Sequence, residues 1–90
     1  MLQTVRLIVE GKVQGVFYRQ STREKAMIMG IKGTVKNLAD GNVEIIATGT
    51  EEQLEQLAHW CHQGPPRSIV TKVSSTPLPL QPFSNFIIIR

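Results

Sequence analysis

An arginine, a side-chain amide and a turn built on glycine are the parts of this chain that could do chemistry. Arg19 closes the segment Gly11-Lys12-Val13-Gln14-Gly15-Val16-Phe17-Tyr18-Arg19, where a strand pattern gives way to a helix pattern. Backbone N–H groups turned inward, a helix N-terminus and one fixed positive charge make a site for an oxyanion. Asn37 lies in a second segment, Gly33-Thr34-Val35-Lys36-Asn37-Leu38-Ala39-Asp40-Gly41, just ahead of a tight turn. Together these parts suffice for phosphoryl chemistry on a small molecule, with no metal and no cofactor.

Such residues need elements to hold them. Thr4 to Glu10 alternates as a strand does, with Val5, Leu7 and Val9 on one face and Thr4, Arg6 and Glu10 on the other. After the loop, Ser21-Thr22-Arg23-Glu24 fits a capping box. The helix it opens is expected to bury Thr22, Ala26 and Met29 and to stop at Gly30. Ile31 to Leu38 reads as a second strand, and Ala39-Asp40-Gly41-Asn42 as a hairpin turn into a third, Val43 to Thr48. Thr50-Glu51-Glu52-Gln53 is another capping box, opening a helix with the apolar stripe Leu54, Leu57, Ala58 and Cys61. Gly64-Pro65-Pro66 ends that helix, and Ser68 to Val73 gives a fourth strand. A proline-spaced connector, Thr76 to Pro82, then leads to a last strand at Phe83 to Arg90.

The order is β-α-β-β-α-β with one more C-terminal strand. It predicts an α+β fold of the split βαβ kind, a ferredoxin-like α/β sandwich with two helices on one face of a mainly antiparallel sheet. One domain spanning residues 1–90 is expected, with a core of two layers.

Composition excludes several function classes. The net charge is +3, which suits an anionic ligand, yet the ten basic residues are scattered and form no run. No nucleic-acid partner is implied. The longest apolar run, Ile87-Ile88-Ile89 behind Phe86, is far too short to span a bilayer, so no membrane partner is expected. The N-terminus, Met1 to Arg6, lacks the features of a signal peptide, and the single cysteine, Cys61, has no disulfide partner. A cytoplasmic monomer is the expectation.

Val13-Gln14-Gly15-Val16-Phe17-Tyr18-Arg19 is similar to the first signature of the acylphosphatases, small enzymes that hydrolyse the carboxyl-phosphate bond of acyl phosphates. The stretch from Gly33 through Asn37, Gly41 and Val43 to Gly49 resembles the second. Gly64-Pro65-Pro66, Val70, Val73 and the terminal Ile89-Arg90 also fit the family layout, so the resemblance covers nearly the whole chain. It implies a metal-free phosphohydrolase with an acyl phosphate as substrate and inorganic phosphate as product. One position departs: after Gly33 the family usually has a large aromatic residue, and here it is Thr34. A modest change in stability or substrate preference is expected from it.

The resemblance assigns roles that elementary chemistry can rationalise. Backbone N–H groups from Gln14, Gly15, Val16, Phe17, Tyr18 and Arg19 would bind the phosphate, with Gly15 free to take φ > 0. Arg19 would clamp the phosphoryl oxygens through its planar fork. Asn37 has no useful pKa, so it cannot be a general base; it would hold a water in line with phosphorus. Carboxylate is a weakly basic leaving group and needs no general acid.

Other motifs carry less. His59 and His62 are one helical turn apart, but Cys61 belongs to the apolar stripe and no further ligand pair is present, so no metal site is expected. An RNA-binding module of the same element order would show stacking aromatics on its central strands, and Asn42 to Ala47 has none. The alternative that stays open is a non-catalytic phosphate-binding or regulatory domain of this fold. Loss of Arg19 or Asn37 would have favoured it; both are present.

Overall fold

Alternating Leu7 and Val9 are fully buried on β1 (Leu2–Lys12), and the computed structural model, which describes residues 1–90, builds the core outward from them. Then follow α1 (Tyr18–Met29), β2 (Lys32–Asn37), β3 (Val43–Thr50), α2 (Glu51–Gln63), β4 (Ile69–Leu78) and β5 (Phe86–Ile89). The five strands form one sheet in the order β4-β1-β3-β2-β5. All pairings are antiparallel except β2 with β5, which is parallel. The core lies between the sheet residues Leu7, Val9, Val35, Val43, Ile45 and Ala47 and the helix residues Tyr18, Ala26, Leu54, Leu57 and Cys61. The ferredoxin-like sandwich expected from the element order is the fold observed.

The first helix starts earlier than expected. Ser21 is not its cap: α1 begins at Tyr18, behind an N-cap Phe17 in the left-handed region at φ 64° with no side-chain cap. Ser21 is already inside, its N–H donating to the Phe17 carbonyl at 3.0 Å. Glu24, the other half of the expected box, instead accepts from Gln20 Nε2 at 3.1 Å. The physical reason is tertiary. Tyr18, Thr22 and Ala26 repeat every four residues and are all buried, so the helix must include Tyr18 to bury its ring. The local Ser-x-x-Glu pattern lost to about a whole aromatic side chain's burial.

The second helix behaves as its sequence says. Thr50 Oγ1 accepts from the Gln53 N–H at 3.2 Å, and Gln53 Oε1 accepts from the Thr50 N–H at 2.8 Å. Gly64 closes it, donating to the Trp60 carbonyl.

The end of the chain differs from expectation in two places. β4 runs on through Pro77 to Leu78 because it is an edge strand: only β1 pairs with it, so a missing N–H on the outer side costs nothing. Residues 79–85 then cross the open sheet face to the opposite edge, and β5 begins only at Phe86. A buried polar clasp holds the crossing. Thr4 and Thr48 hydroxyls lie 2.6 Å apart; Thr4 Oγ1 accepts from the Gln81 N–H at 2.9 Å, and Thr48 Oγ1 donates to the Gln81 carbonyl at 2.7 Å. The Gly33 N–H donates to the Asn85 carbonyl at 2.9 Å, which aligns β5 on β2.

Gly33 also has no room for a side chain. At φ 153°, a Cβ would drive into the Ile46 carbonyl oxygen and lie 3.0 Å from the Ala47 Cα. Gly33→Ala is expected to cost more than about 2 kcal/mol, lowering Tm by roughly 10 °C. A thermal unfolding curve within a few degrees of the parent's would show that β3 gives way instead.

Candidate active site

Two left-handed residues turn the loop between β1 and α1 into a cradle. Gly15 sits at φ 74° and Phe17 at φ 64°, with Val16 between them outside that region. Gly15 is there for its conformation, since a Cβ would meet nothing within 4 Å. Phe17 is the one non-glycine residue of the chain at positive φ, and its ring is largely exposed. Holding a phenylalanine in that region costs of order 1–3 kcal/mol and marks a place where the backbone is shaped for a ligand.

The cradle opens on the N-terminus of α1. This helix has no acidic residue in its first turn and no side-chain cap, so its first N–H groups and its positive dipole end face the loop uncompensated. The contrast with α2 is instructive: there Glu51 and Glu52 occupy the first turn and the capping box satisfies the end. One helix closes its own terminus. The other offers it to an anion.

A pocket of about 400 Å³ lies at this point, lined by Val13, Gly15, Phe17, Tyr18, Arg19, Gln20, Asn37, Ile88 and Arg90. The fold therefore brings Arg19, from the first turn of α1, to the same cavity as Asn37, from the last residue of β2. Arg19 and Arg90 give the walls two positive charges against no acidic side chain. The Asn37 Oδ1 is shielded from solvent and accepts no hydrogen bond, the single buried side-chain nitrogen or oxygen in the chain without a partner. An unmet acceptor of this kind costs about 1–3 kcal/mol unless something donates to it.

Two expected loop residues turn their side chains elsewhere. Val16 is buried in the core. Gln14 Nε2 donates to the Leu38 carbonyl at 2.8 Å and to the Asn42 carbonyl at 2.9 Å. Its amide clasps the cradle loop to the turn that follows Asn37. Tyr18 contributes one side to the pocket, but its phenol donates to the Cys61 carbonyl at 2.8 Å inside the core. Its ring packs at 5.7 Å from that of Trp60. Ile88, Gln20 and Val13 were not singled out from sequence; for Ile88 the signal was available, since alternation places it with buried Phe86 on the helix side of β5. Thr34 lies outside the pocket. It faces the other side of the sheet from buried Val35, beside Ile46 and Ile87 in the register, so it is no part of the substrate wall.

Cysteine and histidine chemistry have no place at this site. Burial pushes the Cys61 thiol from 9.0 up to about 12, despite the Tyr18 hydroxyl beside it, and burial also raises the Tyr18 phenol above its ordinary range. His62 donates from Nδ1 to the Ala58 carbonyl one turn back, and nowhere do three His, Cys, Asp or Glu side chains converge.

The acylphosphatase family model matches residues 5–88. This chain belongs to the acylphosphatase family. An acylphosphatase from Marinobacter nauticus is 52% identical over 81 residues, 89% of this chain and 88% of that one. One from Xanthomonas oryzae is 43% identical over 96% of this chain and 98% of its own length. The crystal structure of a Bacillus subtilis acylphosphatase superposes with a TM-score of 0.94 at 38% identity, covering 100% of both chains. A Coxiella burnetii acylphosphatase gives a TM-score of 0.95 at 36% identity, over 98% of this chain and 93% of that one. The activity is that of an acylphosphatase, a hydrolase with an acyl phosphate as substrate and phosphate as product. No helix is long and apolar enough to cross a membrane.

Two measurements check the pocket's supports. Gln14→Ala removes both bonds between loop and turn, while the Leu38 and Asn42 carbonyls keep the Gly41 and Leu38 N–H groups as donors; a loss of about 1–2 kcal/mol in urea unfolding is expected. An unchanged midpoint would mean that solvent replaces the clasp. The thiol and phenol both hold their protons more tightly folded than unfolded. Their contribution to stability is therefore complete below about pH 9 and declines as pH rises towards 12. The urea midpoint should be flat with respect to these groups below pH 8.5 and fall above it, and a thiol reagent at pH 8 should label Cys61 only in unfolded protein. Rapid labelling of the native state would contradict the burial argument.

Proposed function

We propose that Arg19 and the backbone N–H groups of the cradle bind the phosphoryl group, and that Asn37 holds the attacking water. The placement of Asn37 in the same pocket as Arg19, with no acidic side chain beside them, carries this reading. The Asn37 amide orients the water towards phosphorus, and Arg19 with the first turn of α1 fixes where phosphorus sits. Attack forms the new P–O bond as the bond to the acyl oxygen breaks. The electron pair leaves on the carboxylate, and the water's second proton passes to a phosphoryl oxygen, giving carboxylate and dihydrogen phosphate. Charge spreads over the equatorial and leaving oxygens in a loose transition state, where preorganised donors stabilise it selectively.

No side chain has to change its protonation state in this scheme. The donors of the pocket neutralise the phosphate by themselves, so the reaction is proposed to run without a divalent cation. Every group invoked comes from one chain, and its only cysteine is a buried thiol, which supports a monomer working in the cytoplasm.

Hydrolysis of benzoyl phosphate in EDTA tests the scheme. Arg19→Ala should lower kcat/KM by about 10³- to 10⁵-fold, by analogy with other phosphoryl-transfer arginines. Asn37→Ala should lower kcat by about 10²-fold with little change in KM, because it displaces the water rather than the substrate. Circular dichroism should show both variants folded. Activity that vanishes in EDTA and returns with magnesium would overturn the metal-free reading, and full activity in Asn37→Ala would remove the water from that residue.

A further inference from the structure

The face of α1 that supplies Arg19 does not end there. Arg19, Arg23 and Met27 are spaced four residues apart and so lie along one side of the helix. Arg23 and Met27 line a second cavity of about 400 Å³, enclosed with Ile31 and Lys32 at the start of β2 and with Phe86 and Ile88 on β5. Ile88 borders both cavities, so the second lies next to the pocket of Arg19 and Asn37, along the seam between α1 and β5.

Its charge is one-sided. Arg23 and Lys32 line the groove and no acidic side chain does. The chain's ion pairs involve only Arg6, Lys36 and Glu44, so neither groove cation is neutralised. Arg23 is also positioned: its Nε donates to the Phe86 carbonyl at 3.2 Å, and its two terminal nitrogens make no hydrogen bond within the chain. Lys32 is exposed and carries no structural bond. Between these cations the exposed apolar side chain is Met27, with Ile31 and Phe86 lining the cavity from almost fully buried positions.

Resting on the reading that the phosphoryl group binds at Arg19, we propose that this groove is the acyl subsite and selects acyl phosphates whose acyl part ends in a second anionic group. One helical turn separates Arg19 from Arg23, about 6 Å along the axis. That is the scale of a short or para-substituted aromatic acyl group, with its phosphorylated end at Arg19 and its free carboxylate at Arg23 and Lys32. The exposed Met27 side chain covers the carbon skeleton, and the two cations take the tail.

The test compares 4-carboxybenzoyl phosphate with benzoyl phosphate and 4-methylbenzoyl phosphate at low ionic strength. The wild type should favour the carboxylated compound by about tenfold in kcat/KM, chiefly through KM, as two partly exposed ion pairs allow. Lys32→Glu should abolish or reverse that preference while leaving benzoyl phosphate within twofold of the wild type. Arg23→Gln should weaken it, since glutamine can still donate to the Phe86 carbonyl without carrying charge. Equal kcat/KM for the three compounds, or equal slowing of all three by Lys32→Glu, would overturn the subsite and leave the phosphoryl reading standing. Failure of a folded wild type to hydrolyse any of them would overturn both.

Discussion

Everything at the site depends on where the first helix begins, and Tyr18 decides that. Its ring fills the space against Trp60 and beside Gly64, where a Cβ would come within 2.7 Å of it. Its hydroxyl reaches the Cys61 carbonyl. Those contacts anchor the first turn of α1 to the end of α2. With Tyr18 pointing inward, the next residue, Arg19, must project about 100° further round the helix, towards the pocket. Phe17 is forced into the left-handed region to make the corner, and the uncapped N–H groups of the turn are left facing the cradle. Burial of one aromatic side chain thus orients the charge, bends the loop and exposes the helix dipole.

The second constraint is the amide of Gln14. The two halves of the site come from segments separated by almost a full β-α-β unit, and no backbone pairing joins the cradle loop to the β2–β3 turn. Gln14 supplies that link with two hydrogen bonds from one nitrogen. The turn itself is held by its own chemistry: the Asn42 N–H donates to Asp40 Oδ1, and Gly41 takes φ 94°. A rigid turn tied to a rigid loop keeps Asn37 at a fixed distance from Arg19, which is what an in-line reaction requires.

That Arg19 and Asn37 share a pocket shows only in the fold. That they are candidates is legible in the sequence because their chemistry is intrinsic to the residue types and the turn residues around them are local signals. The same holds for the Thr50 capping box and the Asp40-Gly41 turn. What escapes a reading along the chain involves partners distant from it. The true start of α1 is set by a carbonyl 43 residues away, so a plausible local cap at Ser21 misleads. That the Gln14 side chain ties the loop to the turn shows only once its acceptors, 24 and 28 residues on, are seen. Pro77 reads as a break until β4 is known to be an edge, and the unmet Oδ1 of Asn37 exists only once its surroundings have closed over it.

The crossing of residues 79–85 over the open sheet face has a temporal consequence. It joins the two opposite edges of the sheet, and it is held by a bond between Gln81 and Thr4, 77 residues apart in the chain, the kind of non-local contact that forms slowly. Ile88, which walls the phosphate pocket, arrives with it. During synthesis Arg19 and Asn37 leave the ribosome early, whereas the strand that forms one wall of their shared cavity comes late. A nascent chain of this kind therefore carries both residues before it has the strand that completes their cavity.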